Sequence, residues 1–280
     1  MNTNNIYILV ILSFILGSCQ EEVVIDLGEQ PSVPVIEAIW TNMAGINQVS
    51  ITTSKNYYEA DVNQIITDAE VYMINENSGE KIDFSYLPQA RTYLPLNNRV
   101  ARQGTRYQLN VKYNNNHYQA TGTTLEPPTL DSIAVEYKDE RLFREEGYYL
   151  TLYGDIPFDT DNYYRIRIVR NDTLLNRRND YLLFDDTFGT QILNRGFELT
   201  GYVFKKNDRV RLELFRLNKD AYDYLNELVG LLFNDGGLFS PPPQNPTSNI
   251  KVISGTGGVL GYFMTSTVIN ASLVIDEDDI

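Results

Sequence analysis

Most of the chain alternates short runs of β-branched and aromatic residues with turn signals, and this pattern limits it to a β-rich fold. The run Thr105–Tyr113 alternates strictly between apolar and polar side chains, as a half-buried strand does. Glu70–Asn75 and Lys81–Tyr86 flank the turn Glu76–Gly79, which is typical of a hairpin. With about seven such runs, residues 33–125 are predicted to form an immunoglobulin-like β-sandwich domain.

A second β-rich domain with one amphipathic helix is predicted over residues 129–280. The two prolines of Glu126-Pro127-Pro128 favour an extended linker and mark the boundary. The helix, at about 218–234, has Asn218 as its expected cap and one apolar stripe, made by Ala221, Leu225, Leu228, Val229 and Leu232. The predicted strands are Leu130–Tyr137, Tyr148–Tyr153, Tyr163–Val169, Tyr181–Phe184, Phe197–Phe204, Arg209–Leu217, Ile250–Ile253 and Gly261–Ile275.

The N-terminus predicts a lipid anchor. Ile6–Leu16 is an apolar run of eleven residues, which is too short to cross a membrane but suits a signal peptide, predicted over residues 1–18. Leu16-Gly17-Ser18-Cys19 resembles a bacterial lipobox, in which Cys19 becomes the first mature residue and carries acyl chains such as palmitate. The alternative is a cleaved secretory signal followed by an incidental cysteine.

Acidic residues follow the cysteine and dominate the whole chain. Residues 19–32 are predicted to be an acidic, solvated tether. Gln20-Glu21-Glu22 resembles the export signal of surface-exposed lipoproteins, and a merely polar linker is the alternative. The net charge of −14 would repel phosphate backbones, so nucleic acid is an improbable partner.

The sequence carries no recognisable catalytic or metal motif, so we expect a protein that is not an enzyme and has no cofactor or metal. The only cysteine is assigned to the anchor, and the single histidine, His117, follows a hairpin turn with no acid pair beside it. The glycines of Gly255–Gly261 miss phosphate-loop spacing and precede a strand pattern, which favours a turn. Asp159–Asn162 and Asp276–Asp279 lack the spacing of a calcium loop, and solvated segments are the better interpretation.

One apolar and proline-rich loop is the candidate contact with a partner. Its residues are Leu238, Phe239, Pro241, Pro242 and Pro243, where consecutive prolines form a stiff segment after two glycines. The loop either packs on its own sheet, which we favour, or docks a partner. The tyrosine pairs Tyr57-Tyr58 and Tyr148-Tyr149 have the pattern of exposed contact residues, although core packing is the commoner use of such residues.

Several motifs together resemble the DUF4249 family of Bacteroidetes outer-membrane lipoproteins. They are the lipobox with "IDLG", the segments "AEVYMINENSGEKIDF" and "YQATGTT", and the runs "PPTLDSI", "DNYYRIRI", "NKDAYDYLNEL", "GGLFSPPPQNPTSNI" and "GVLGYF". The resemblance covers almost the whole mature chain. It implies a mostly β outer-membrane lipoprotein that serves a TonB-dependent receptor in nutrient uptake, and it supplies no catalytic residues. The alternative is a structural or adhesive surface lipoprotein without a transport partner.

Overall fold

The computed structural model describes residues 31–55, 63–234 and 243–276. The strands, numbered in chain order, are β1 (Pro34–Thr41), β2 (Gln48–Thr53), β3 (Glu70–Asn75), β4 (Lys81–Leu87), β5 (Thr92–Pro95), β6 (Arg106–Tyr113), β7 (Asn116–Thr123), β8 (Ser132–Lys138), β9 (Gly147–Tyr153), β10 (Tyr163–Arg170), β11 (Thr173–Leu174), β12 (Leu182–Asp185), β13 (Phe197–Glu198), β14 (Arg209–Leu217), β15 (Lys251–Ser254), β16 (Leu260–Ser266) and β17 (Val268–Val274). The helix α1 spans Lys219–Leu232. The mainly β fold with one helix, predicted from the sequence, is confirmed.

Nine strands form one large sheet, in the order β15-β7-β6-β3-β4-β5-β2-β1-β16. The sheet curls around its own apolar core, since buried side chains from its strands, such as Trp40, Met73, Leu109 and Phe263, belong to one cluster. Its two ends also approach each other: the hydroxyls of Thr124, just after β7, and Thr265, on β16, lie 2.6 Å apart. We call this region the large sheet.

Two smaller sheets face each other over a second core, and we call them the small sandwich. One has the order β11-β10-β14-β17, with β12 also paired to β10, and the other has the order β13-β9-β8. Side chains from both sheets meet in this core, among them Leu150 and Leu152 from β9, Ile166 from β10 and Leu212 from β14.

The two regions do not follow the predicted boundary at residues 125–129. Strands β15 and β16 come from the second segment, yet they lie in the large sheet with the strands of residues 33–125. Residues 32–280 accordingly form one compact unit. The strand β16 pairs in parallel with β1, which local sequence patterns do not indicate. A Cβ at Gly261 would lie 2.0 Å from the carbonyl oxygen of Ile36, so only glycine permits this pairing.

The five-stranded sheet is the middle layer between its smaller partner and β16. Residues Ile166, Ile168 and Leu212 point into the small-sandwich core, while Phe215 and Leu217 point to a third cluster with Tyr262 and Met264 of β16. The first half of α1 packs into this third cluster through Ala221, Tyr222, Tyr224 and Leu225. The helix therefore covers the junction of the two regions.

The helix lies where it was predicted, but its cap differs. Asn218 occupies the N-cap position without a capping hydrogen bond from its side chain. Its amide instead accepts from the Thr123 backbone N–H at 3.1 Å and donates to the Thr123 carbonyl at 3.0 Å. Asn218 thus ties the helix start to the end of β7, because a side-chain amide offers a donor and an acceptor at once.

Candidate functional site

The hairpin between β8 and β9 ends in an exposed apolar tip, Leu142-Phe143, which we call the tip. Arg141 and Arg144 exchange two backbone hydrogen bonds of 3.0 Å, so Leu142 and Phe143 are the two central residues of a tight turn. Leu142 is 85% exposed and Phe143 is 99% exposed. Burial of such a side chain is worth roughly 1.5–3 kcal/mol, and neither residue gains this within the chain.

The backbone at the tip is also strained. Phe143 has a φ of 67°, in the left-handed region that suits glycine or asparagine and is an outlier for a bulky residue. Backbone strain of this kind is concentrated at functional sites. The fold therefore bears two unfavourable features at one residue, an exposed ring and a strained backbone, and neither is explained by packing.

The base of the hairpin holds the tip firmly. The Arg144 guanidinium donates to the Asp139 carbonyl at 3.0 Å, and the Tyr149 hydroxyl donates to the Glu145 carbonyl at 2.7 Å. The Tyr137 hydroxyl donates to the Glu146 carboxylate, and this hydrogen bond raises the pKa of Tyr137 to about 12. These contacts brace both strands within a few residues of the tip, so it projects as an ordered feature.

A polar cavity of about 550 Å³ shares Glu145 with the hairpin base. Its charged lining residues are Glu145, Arg170, Arg177 and Asp180. Part of this lining is already paired, since Arg170 donates to the Val203 carbonyl at 3.2 Å and is 4.0 Å from Asp208. The cavity can accommodate a small polar group. Asp180 is also engaged, since its carboxylate accepts from the Arg177 backbone N–H at 2.7 Å.

Arg165 and Arg167 give β10 a basic face, and this face is largely buried against the neighbouring layer. Glu213 is 0% exposed; one carboxylate oxygen lies 2.9 Å from an Arg167 nitrogen and the other lies 3.2 Å from Arg211. Burial lowers the pKa of Arg167, and attraction to Glu213 opposes that change. This group of charges links β10 to β14, because Arg167 lies on the first strand and Glu213 on the second.

A second polar cluster lies where β1 meets β10. Glu37 is partly accessible to solvent. Desolvation by the surrounding atoms nevertheless raises the pKa of its carboxyl group, and the positive charge of Arg165 opposes that rise. Arg165 also lies 5.0 Å from the centre of the Tyr181 ring. Desolvation raises the pKa of the fully buried Tyr262, and Arg165 again opposes the rise. Glu37 and the Tyr181 ring thus stabilise the positive charge of Arg165 at the boundary of the two regions.

Most of the sequence-predicted site residues lie outside the described part of the chain. These are Cys19, Gln20, Glu21, Glu22, Leu238, Phe239, Pro241 and Pro242, together with the pair Tyr57-Tyr58. Pro243 is described and is exposed. The exposed interpretation of Tyr148-Tyr149 is wrong: these residues are 8% and 2% exposed, and Tyr148 belongs to the small-sandwich core.

The tip itself escaped the sequence analysis. Its signal is the apolar pair Leu142-Phe143 inside the otherwise charged run "KDERLFREE" between two strand patterns. The turn is polar on both sides of these two large apolar residues, and the sequence pattern predicts no packing partner for them within the chain.

Metal binding and membrane crossing receive no support from the described residues. Within ranges 31–55, 63–234 and 243–276, no group of three or more histidine, cysteine, aspartate or glutamate side chains can hold a metal ion. His117 lies 3.0 Å from the Asn110 side-chain oxygen, on the large sheet. In the same part of the chain, no helix combines the length and apolar character needed to span a bilayer.

The model of one protein family matches residues 20–271, and its description is "Domain of unknown function (DUF4249)". The match includes both the large sheet and the small sandwich. The chain therefore belongs to the DUF4249 family. None of the curated proteins matches it.

Proposed function

We propose that this DUF4249 protein is an outer-membrane lipoprotein, exposed at the cell surface, that acts as a non-enzymatic accessory of a TonB-dependent receptor in nutrient uptake. The anchor part of the proposal is supported by the lipobox that ends in Cys19 and by the acidic residues that follow it. Acyl chains on Cys19 would hold the protein at the membrane, where confinement raises the effective concentration of a partner.

The observation that carries the partner contact is the exposed tip Leu142-Phe143. Hot spots of protein interfaces are few, and large aromatic or aliphatic anchors that fill a pocket of the partner dominate them. Phe143 is almost fully exposed on a braced hairpin, so its ordering cost on binding is small. Arg141 and Arg144 on either side offer charged donors to the rim of such a pocket.

The test is co-purification of the tagged full-length protein from detergent-solubilised outer membranes. The double change Leu142→Ser and Phe143→Asn removes both anchors, and we expect recovery of the receptor to fall at least about tenfold, since each hot-spot residue is worth about 2 kcal/mol or more. The matched control is Leu96→Ser, at a 47% exposed leucine that lies outside the hairpin. It should leave receptor recovery unchanged.

A variant of the anchor separates location from contact. Cys19→Ala removes the thiol that acylation requires and should shift the protein out of the outer-membrane fraction. Undiminished receptor recovery with the double tip variant would reject the tip as the contact. Persistence of Cys19→Ala in the membrane fraction with label from radioactive palmitate would reject the anchor.

A further inference from the structure

The small sandwich has open strand edges at β8 and at β17. Strand β8 pairs with β9 on one side, and β17 pairs with β14 on one side. Among the described residues, no strand pairs with the other edge of either. Each open edge carries a row of backbone donors and acceptors that can pair with another extended chain.

The pairing pattern identifies the backbone groups that point outward. Along β9, Tyr148 and Leu150 bond to the side away from β8, through Phe204 and Leu199. Backbone groups alternate in direction along an antiparallel strand, so β8 presents Ile133 and Val135 at its open edge.

The same argument applies to β17, where a side chain confirms it. The Asn42 amide accepts from the Val268 N–H at 2.8 Å and donates to the Val268 carbonyl at 3.4 Å, on the side away from β14. Alternate residues after Val268, namely Asn270 and Ser272, therefore point their backbone groups in the same outward direction. Asn42 closes the first position of this edge and leaves the following ones open.

Both open edges line one groove of about 490 Å³, formed by residues 130–135 and 269–273. Half-buried apolar side chains of the small-sandwich core form part of its lining: Leu130, Ile133, Val135, Ile269 and Leu273. Asp131 is the one charged residue of this lining. The groove thus combines backbone hydrogen-bonding groups on two walls with apolar contacts at alternate positions.

The edges at the groove lack the usual protection against strand addition. Native proteins block an open edge with lysine, proline, a bulge or an inward-pointing charge. Apart from Asp131, the exposed side chains here are Ser132, Ala134, Asn270 and Ser272, which are uncharged. Charged residues appear on β8 only beyond the groove, at Glu136 and Lys138.

We propose that the groove between β8 and β17 binds an extended strand of a partner polypeptide, with apolar side chains at alternate positions and a basic residue near Asp131. Main-chain hydrogen bonds to Ile133 and Val135 on one side and to Asn270 and Ser272 on the other hold the strand, and the apolar lining selects its alternate side chains. Strand binding in the groove is independent of the partner contact at the tip, since the two surfaces share no residue.

The test uses the full chain and a peptide of about six residues, the usual length of a strand, which starts with lysine and alternates valine with threonine. We expect peptide binding to slow amide hydrogen exchange at the outward N–H groups of residues 133, 135, 270 and 272. A second peptide, N-methylated at alternate amides, keeps the apolar side chains but lacks donors. It should bind at least about tenfold more weakly, because it cannot donate several of the main-chain hydrogen bonds.

Two proline variants on β17 complete the test. Ser272→Pro removes an outward N–H inside the groove without touching the β14 ladder, and it should weaken peptide binding about tenfold. Val274→Pro removes the next outward N–H, which lies beyond the groove, and should bind the peptide as the wild type does. Equal binding of the two peptides, or no change of exchange at the four amides, would overturn the proposal. Concentration-dependent dimerisation with protection of the same amides would overturn it in favour of a second copy as the occupant.

Discussion

The large sheet and the small sandwich are both β structures, yet they differ in where charge is buried and where aromatic surface is exposed. The large sheet closes on its own core and keeps its ion pairs, such as Lys81 with Asp83 and Lys112 with Glu70, at the exposed surface. The small sandwich buries Glu213 completely and exposes Phe143 almost completely. Buried charge and exposed aromatic surface are the features that call for an explanation.

This contrast indicates where the protein meets other molecules. The two ends of the large sheet approach each other. The small sandwich has the tip, the polar cavity and the groove between two open edges. We infer that the large sheet provides a stable body and that the small sandwich presents the contact surfaces.

The largest expected effect comes from breaking the buried charge group of the small sandwich. Glu213→Gln leaves Arg167 buried without its counter-charge, and it should lower the free energy of unfolding by about 3–5 kcal/mol. Urea denaturation followed by circular dichroism measures this. The counterpart in the large sheet is Glu70→Gln at an exposed pair, which should change stability by less than about 1 kcal/mol.

A double variant tests the reason for that loss. Replacing both partners, with Arg167→Leu and Glu213→Leu, removes the buried charges together and should restore most of the stability. If the double variant is as unstable as Glu213→Gln alone, the loss of stability comes from the packing of these side chains and not from an unpaired charge.

Tyrosine titration gives a smaller difference between the regions. Burial raises the pKa of Tyr164, in the small-sandwich core, to about 12. The unfolded value is about 10, so the folded protein retains the proton where the unfolded chain loses it. Stability from this group is complete below pH 10 and is lost as the pH rises toward 12.

As the pH rises from 10 to 12, the free energy of unfolding should therefore fall less in Tyr164→Phe than in the wild type, and the difference should be about 1–2 kcal/mol. Desolvation also raises the pKa of Tyr118 in the large sheet, so Tyr118→Phe should act in the same direction. Urea melts at a series of pH values measure both. Identical pH dependence in wild type and Tyr164→Phe would show that this tyrosine ionises normally in the folded protein.

Local patterns in the sequence predict much of the fold. Strands β3 and β14 have the predicted bounds. Phe197–Phe204 was expected to be one strand, but only Phe197–Glu198 is one, since turn hydrogen bonds from Thr200 and Tyr202 bend the chain. The short β5 was not predicted.

Long-range features are the ones that local patterns miss. The apolar run Gly261–Ile275 divides at Thr267 into β16 and β17, which belong to different sheets. At this change of sheet, the Thr267 hydroxyl donates to the Leu125 carbonyl at 2.7 Å. The tip was missed for a different reason. It is a candidate contact because it is exposed, and the charged residues around two apolar residues in the sequence do not predict that exposure.

The most direct test of the account is the stability of Phe143→Asn, because the central claim is that Phe143 serves a partner and not the fold. Asparagine tolerates the left-handed backbone at this turn position and removes an exposed ring. We predict that the free energy of unfolding stays equal or rises by up to about 1 kcal/mol, while Tyr148→Asn at the buried base of the same hairpin lowers it by about 3 kcal/mol. A loss of more than about 1 kcal/mol for Phe143→Asn would show that the ring packs within the chain, and it would contradict the claim.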